Sequence, residues 1–233
     1  MAANHQLQLR EMLEPVAKAL GPELLPYVAF VGGATTALLI SDPFTREAVR
    51  FTEDIDLIAK VESHAQWQRF RQQLHQRGFK ESMEDEVIYR MRLGHLKVDF
   101  MPADESILGF SNRWYHKALA TAQPYPLTAE LTINLLAPEY FVATKLEAWR
   151  GRGGNDPIQS HDLEDIINLL DGREELALEI AQAEGEVRDY IARQFSELLK
   201  HPDFEYTVQG NVRDTARSEL VFKHMEHIIQ GLT

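Results

Sequence analysis

The sequence predicts an α+β chain, with a mixed sheet and flanking helices first and a helical domain after it. Three observations carry this. The apolar run "YVAFV" (27–31) ends in a glycine pair, and "ATTALLI" follows directly. The segments "EDIDLIAK" (53–60) and "HLKVDFM" (95–101) have the side-chain period of strands. From about Pro138 the apolar spacing turns helical, over 138–150, 160–171, 174–199 and 213–231.

Along the chain, apolar residues at Leu7, Leu9, Met12, Leu13, Val16 and Leu20 recur at helical spacing, closed by Gly21-Pro22. "YVAFV" reads as a short buried strand, and "ATTALLI" as a helix starting at the glycines. "HAQWQRFRQQLHQRG" (64–78) is an amphipathic helix with Trp67, Phe70 and Leu74 inward and Gly78 as its stop. "VIYRMRL" (87–93) and "HLKVDFM" flank Gly94 as an antiparallel pair. Pro124, Pro126 and Pro138 mark a change of composition, which places the domains at 1–125 and 126–233.

The 233 residues include no cysteine, so disulfides, thiolate metal sites and cysteine nucleophiles are excluded, and a reducing cytoplasm fits. The N-terminal stretch does not read as a secretion signal, and no apolar run is long enough to span a bilayer. A net charge of −12 argues against non-specific nucleic-acid binding. "ESMEDE" (81–86) reads as a solvated loop or strand edge. His224 and His227 read as surface residues, and the tryptophans as packing residues, with Trp114-Tyr115 a candidate cleft lining.

The carboxylates carry the chemistry. In "RFTEDIDLI" (50–58), alternation puts Asp54 and Asp56 on one face of a strand. Like charges so placed call for a cation, and Mg²⁺ accepts one or two carboxylates together with substrate phosphates. Asp-x-Asp is common, and for the pair alone a solvent-facing strand with two incidental acids is the leading explanation. Asp99 in "HLKVDFMP" shifts the balance. If its strand lies beside 53–60, three carboxylates converge, a set able to hold two divalent ions for displacement at phosphorus.

Gly32-Gly33, the Asp54/Asp56 pair and a separate Asp99 together resemble the nucleotidyltransferase superfamily with the DNA polymerase beta fold. The form Arg50-x-Thr52-x-Asp54-Ile-Asp56-Leu is most similar to the AbiEii group, the nucleotidyltransferase toxins of toxin–antitoxin systems. "EYFVATKLEAWRGRGGNDPIQSHDLEDIINLL" (139–170) resembles that group's Lys helix and its Arg-Asp-x-x-Asp motif, matched by Lys145, Asp162 and Asp165. The likeness covers about residues 28–170. The spacer between Gly33 and Asp54 is longer than usual, which suggests an extra loop around "SDPFTREAV". His161 stands where the group has Arg, leaving open whether a triphosphate contact is lost, titratable or taken over by Arg150 or Arg152.

The resemblance implies transfer of an NMP from an NTP to an acceptor, with release of pyrophosphate. It implies Mg²⁺ (or Mn²⁺) at Asp54, Asp56 and Asp99, the last also drawing the acceptor's proton. Lys145 would neutralise the phosphates. Gly32, Gly33, Thr35, Arg50, Thr52, Asp162 and Asp165 would contact the nucleotide, although Thr35 equally suits a first-turn helix residue. "GRGGNDP" (151–157) reads as a mobile connection without the ending of a Walker loop. The implied acceptor is tRNA or another macromolecule, and the implied partner a cognate antitoxin. A small hydroxyl compound, as for an antibiotic-modifying enzyme, is the alternative acceptor.

Overall fold

A computed structural model describes residues 2–85, 87–152 and 156–231. Part of the glycine-rich stretch 151–157 and the end of "ESMEDE" therefore lie outside the described residues, as does the Leu7 side chain.

In chain order, α1 (Ala2–Leu24) kinks at Gly21 (φ 63°), and a 3-10 turn (Leu25–Tyr27) leads into β1 (Val28–Val31). A 3-10 turn (Gly33–Thr35), α2 (Thr36–Leu39) and α3 (Pro43–Ala48) come before β2 (Asp54–Ala59) and α4 (His64–Gln76). Next are β3 (Arg90–Leu93), β4 (Leu96–Pro102), α5 (Glu105–Leu108), α6 (Tyr115–Ala120), β5 (Gln123–Pro126) and β6 (Thr132–Leu135). The remainder is α7 (Pro138–Gly151), α8 (His161–Gly172), α9 (Leu176–Gln182), α10 (Gly185–Leu198), α11 (Phe204–Asn211) and α12 (Thr215–Gln230). No helix among the described residues is long and apolar enough to cross a membrane.

The chain forms two compact units. One comprises residues up to Thr35 with Phe51–Ala137, and the other Thr36–Arg50 with the chain from Pro138. The expected cut at 125/126 falls inside β5, and β5 and β6 pair antiparallel and belong to the sheet. Their prolines suit an edge strand, where a missing N–H faces away from the ladder.

The first unit is built on a sheet ordered β3-β4-β2-β1-β6-β5. β2 runs antiparallel to β1 and parallel to β4, and β1 is parallel to β6. One face of β2 and β4 is apolar, with Ile55 opposite Val98 and Leu57 opposite Phe100. α4 covers it: Ser63 caps the helix by accepting from the Gln66 amide, and Trp67, Phe70 and Leu74 are buried. Phe100 meets Phe70 and Phe79 edge-on at 5.7 and 5.4 Å, as aromatic quadrupoles favour. That burial fixes the register, and a fixed register commits the alternate residues to the opposite face.

The second unit is helical, and the segment 36–50 is stitched into it at the end of α8. The Gly172 carbonyl accepts from the Ser41 and Asp42 amides at 3.0 and 2.9 Å. Arg173 donates to the Leu39 carbonyl at 2.8 Å. A Cβ on Gly172 would lie 2.5 Å from Ile40 Cγ2, so only glycine permits this approach. Below it, the buried Asp171 accepts from Thr45 at 2.6 Å and from Arg217 of α12.

Several elements differ from the sequence reading. The helix expected at the glycines is a 3-10 turn and four residues of α2, because the chain turns at once toward α8. The loop expected around "SDPFTREAV" contains α3, capped by Asp42, which accepts from the Thr45 amide. The single helix expected over 174–199 is α9 and α10, separated at Ala183-Glu184. Trp114 is buried core, not a cleft lining. His224 is half-buried and hydrogen-bonded to the Leu170 carbonyl at 2.8 Å, so it is a packing contact as well as a surface residue.

Candidate active site

Asp56 on β2 and Asp99 on β4 are register partners, and Asp54, two residues earlier, shares their face. The adjacency that the third carboxylate required is present. β1 supplies the floor beside them, since Val31 pairs with Asp56 and Gly32 follows at the strand's end. Gly32 has φ 77°, in the left-handed region, and a Cβ there would run into the Asp56 carboxylate. The glycine is therefore required by its own neighbour on β2, whatever else approaches it.

The cation between the carboxylates belongs to the chain. Arg90 of β3 donates from Nε and a terminal nitrogen to both oxygens of Asp99, at 2.7 and 2.8 Å. The same terminal nitrogen reaches Asp54 at 2.9 Å. A bidentate guanidinium–carboxylate pair is among the stronger charge-assisted contacts. Asp99, and then Asp54, hold the Arg90 guanidinium well above its ordinary pKa. The residue was readable: a two-residue turn at Gly94-His95 pairs Leu93 with Leu96, and counting outward sets Arg90 opposite Asp99.

Exposure separates the acids. The Asp54 side chain is 44% exposed and that of Asp99 is 6%. Lys97, on the same face, pairs with Glu53 at 2.9 Å. Further along β3, Arg92 is held by Asp85 through two contacts of 2.8 Å, so "ESMEDE" is in part an ion-pair partner of the edge strand.

Asp54 and Asp56 offer hard oxygens on one face, which suits a divalent ion that also takes phosphate oxygens. Asp99 is placed differently, because both its oxygens are on Arg90. Among the described residues no group of three or more His, Asp or Glu side chains is gathered closely enough to hold a metal. Asp54, which Arg90 holds through one oxygen, and Asp56 are the two acids whose chemistry fits the ion.

The Gly32 carbonyl accepts from the Thr35 amide at 3.0 Å and from the Thr35 hydroxyl at 2.9 Å, closing the turn. The hydroxyl's donor is thus committed to the backbone. The Thr52 hydroxyl donates to the Asp54 carbonyl at 3.2 Å and steadies the entry into β2. Gly33 is buried at the start of the 3-10 turn.

The helical unit gathers the other residues singled out. Ser160 caps α8, and spacing by three sets Asp162 and Asp165 on one face. Lys145 of α7 lies between them, 3.3 Å from Asp162 and 2.7 Å from Asp165. Arg50 joins from the other side, 3.5 Å from Asp165 and 3.2 Å from Glu164. Asp165 is fully buried, and its second oxygen has no hydrogen-bond partner among the described residues. Arg152 contacts Asp162, while His161 is exposed and pairs with Glu164 at 3.0 Å.

A family model described as nucleotidyl transferase AbiEii toxin, type IV TA system, matches residues 22–230. Among solved structures, the chain is similar to an antigenic nucleotidyltransferase-like protein from Paracoccidioides brasiliensis. The two are 20% identical with a TM-score of 0.51, over 89% of this chain and 95% of that one. JHP933 from Helicobacter pylori is 12% identical with a TM-score of 0.46, over 97% and 93%. The first likeness bears on the fold alone. A comparison with curated proteins returned no match. The family match takes in the sheet carboxylates and the Lys145 cluster together, and it makes the chain a nucleotidyltransferase. It belongs to the AbiEii family of nucleotidyltransferase toxins of type IV toxin–antitoxin systems.

Proposed function

We propose that the chain transfers an NMP from an NTP to tRNA, in the cytoplasm, and that a cognate antitoxin restrains it. The observation that supports this best is the in-register pairing of Asp56 with Asp99, with Asp54 on the same face.

Asp54 and Asp56 would hold Mg²⁺ or Mn²⁺, which, when bound, offsets the charge of the nucleotide phosphates. Arg90 neutralises Asp54 and Asp99 in the resting protein. Phosphate oxygens compete for its guanidinium, and its departure frees Asp99 to accept the proton of the attacking hydroxyl. Asp99 then also has oxygens to offer a second ion. Gly32 and Gly33 keep side chains out of the approach beside Asp56. Lys145 is a point charge for the triphosphate, oriented by Asp162 and Asp165. Arg50 and Thr52 serve the nucleotide indirectly, Arg50 through Asp165 and Thr52 by fixing Asp54.

The test is incubation with each α-labelled NTP, Mg²⁺ or Mn²⁺, total tRNA and a panel of small hydroxyl compounds. Label on tRNA is expected. Label on a small compound alone would move the protein to an antibiotic-type transferase, and label on neither would remove the proposal.

A further inference from the structure

The helical unit holds a cavity of about 320 Å³ beside α3, α8, α11 and α12, and none of the motif residues above lines it. That volume is at the lower end of small-ligand pockets, enough for one ring system and its substituent. Its charges are balanced within the protein. Asp42 and Asp171 face Arg213 and Arg217, and Arg217 is spent on Asp171 and Thr45. Such a lining does not select a free anion or cation. It suits a neutral group.

Two side chains say which neutral group. Asn168 of α8 is 4% exposed, lines the cavity, and makes no hydrogen bond to another described residue. Its amide offers two donors and an acceptor, and the cavity is where a partner for them can come from. At the rim the Phe44 ring is 73% exposed, with the Arg213 guanidinium 5.8 Å from its centroid. An exposed aromatic face and a guanidinium plane are the two surfaces on which unstacked bases settle. An amide reads a base edge by donating and accepting together.

We infer that this cavity takes one unpaired nucleobase, stacked at Phe44 and Arg213 and hydrogen-bonded by Asn168. The base can come from a free nucleoside or from single-stranded RNA. The site uses none of the sheet carboxylates, so it stands whether or not the transfer reaction does.

The test is NMR titration of the full chain, without divalent metal, against the four nucleosides and against a short single-stranded RNA. Asp54→Ala is the control. Binding of a nucleoside, weakened about tenfold by Phe44→Ala and by Asn168→Ala in a protein that still melts cooperatively, supports a free-nucleoside source. Binding of the RNA alone, with the same losses, supports an RNA source. Binding of neither, binding indifferent to Phe44 and Asn168, or binding lost in Asp54→Ala would overturn the inference. Phe44 is exposed, so its variant does not depend on refolding of the core.

Discussion

Arg90 on the sheet and Lys145 in the helical unit each tie down a cluster of acids. On the sheet, Arg90 spans Asp54 and Asp99, and Asp54 keeps nearly half its side chain in solvent. In the helical unit, Lys145 spans Asp162 and Asp165, whose side chains are 6% and 0% exposed. The charge pattern is similar, but the access is not. A ligand can reach the first cluster by competing for one oxygen at the surface. The second holds its lysine in a buried cradle, where breaking one contact strands a charge.

That contrast sets the order of expected effects. Asp54→Ala and Asp56→Ala should lower NMP transfer by roughly 10³-fold while thermal unfolding barely moves, as a rate assay beside a melt would show. Were transfer to persist in both, the sheet cluster would not be the active site.

Lys145→Ala should lower transfer and also cost stability, about 3–5 kcal/mol in denaturant titration, because the buried Asp165 loses its 2.7 Å lysine and keeps Arg50 at 3.5 Å. A pair replacement, Lys145→Met with Asp165→Leu, should recover much of that loss. No recovery would show that the lysine's packing matters more than its charge.

Gly172→Ala should cost about 1–3 kcal/mol, since the new methyl meets Ile40 and Thr45. Arg173→Ala, which removes one hydrogen bond to the same segment, should cost less. The reverse order would mean that segment 36–50 is held by polar contacts more than by close approach.

Thr35→Val should have the smallest effect, about 1 kcal/mol of stability with no change in KM for NTP. A raised KM would return the Thr35 hydroxyl to the nucleotide.

Much of this was readable from residues, for definite reasons. Strand alternation put Asp54 and Asp56 on one face, and it gave Asp99 a reason to join them once β4 lay beside β2. Arg90 is equally legible from the Gly94-His95 turn, but only by counting register across the hairpin, since nothing local to an edge-strand arginine names its partner. The tertiary pieces were not readable. Nothing local in "SDPFTREAV" says that it docks on the end of α8, because Gly172, 131 residues after Ser41, supplies the acceptor. The prolines of β5 read as a boundary because an edge strand and a linker share that composition. α11 is short and mostly polar, and its periodicity is too weak to stand out.

The account rests on the charged face of β2 and β4 receiving nucleotide phosphates together with a divalent ion. Electron paramagnetic resonance of Mn²⁺ with a non-hydrolysable NTP analogue, on the wild type and on Asp54→Asn and Asp56→Asn, tests this most directly. Tight Mn²⁺ uptake by the wild type in the presence of the analogue, lost in both isosteric variants, is the expected result. Equal uptake by all three proteins would contradict the account.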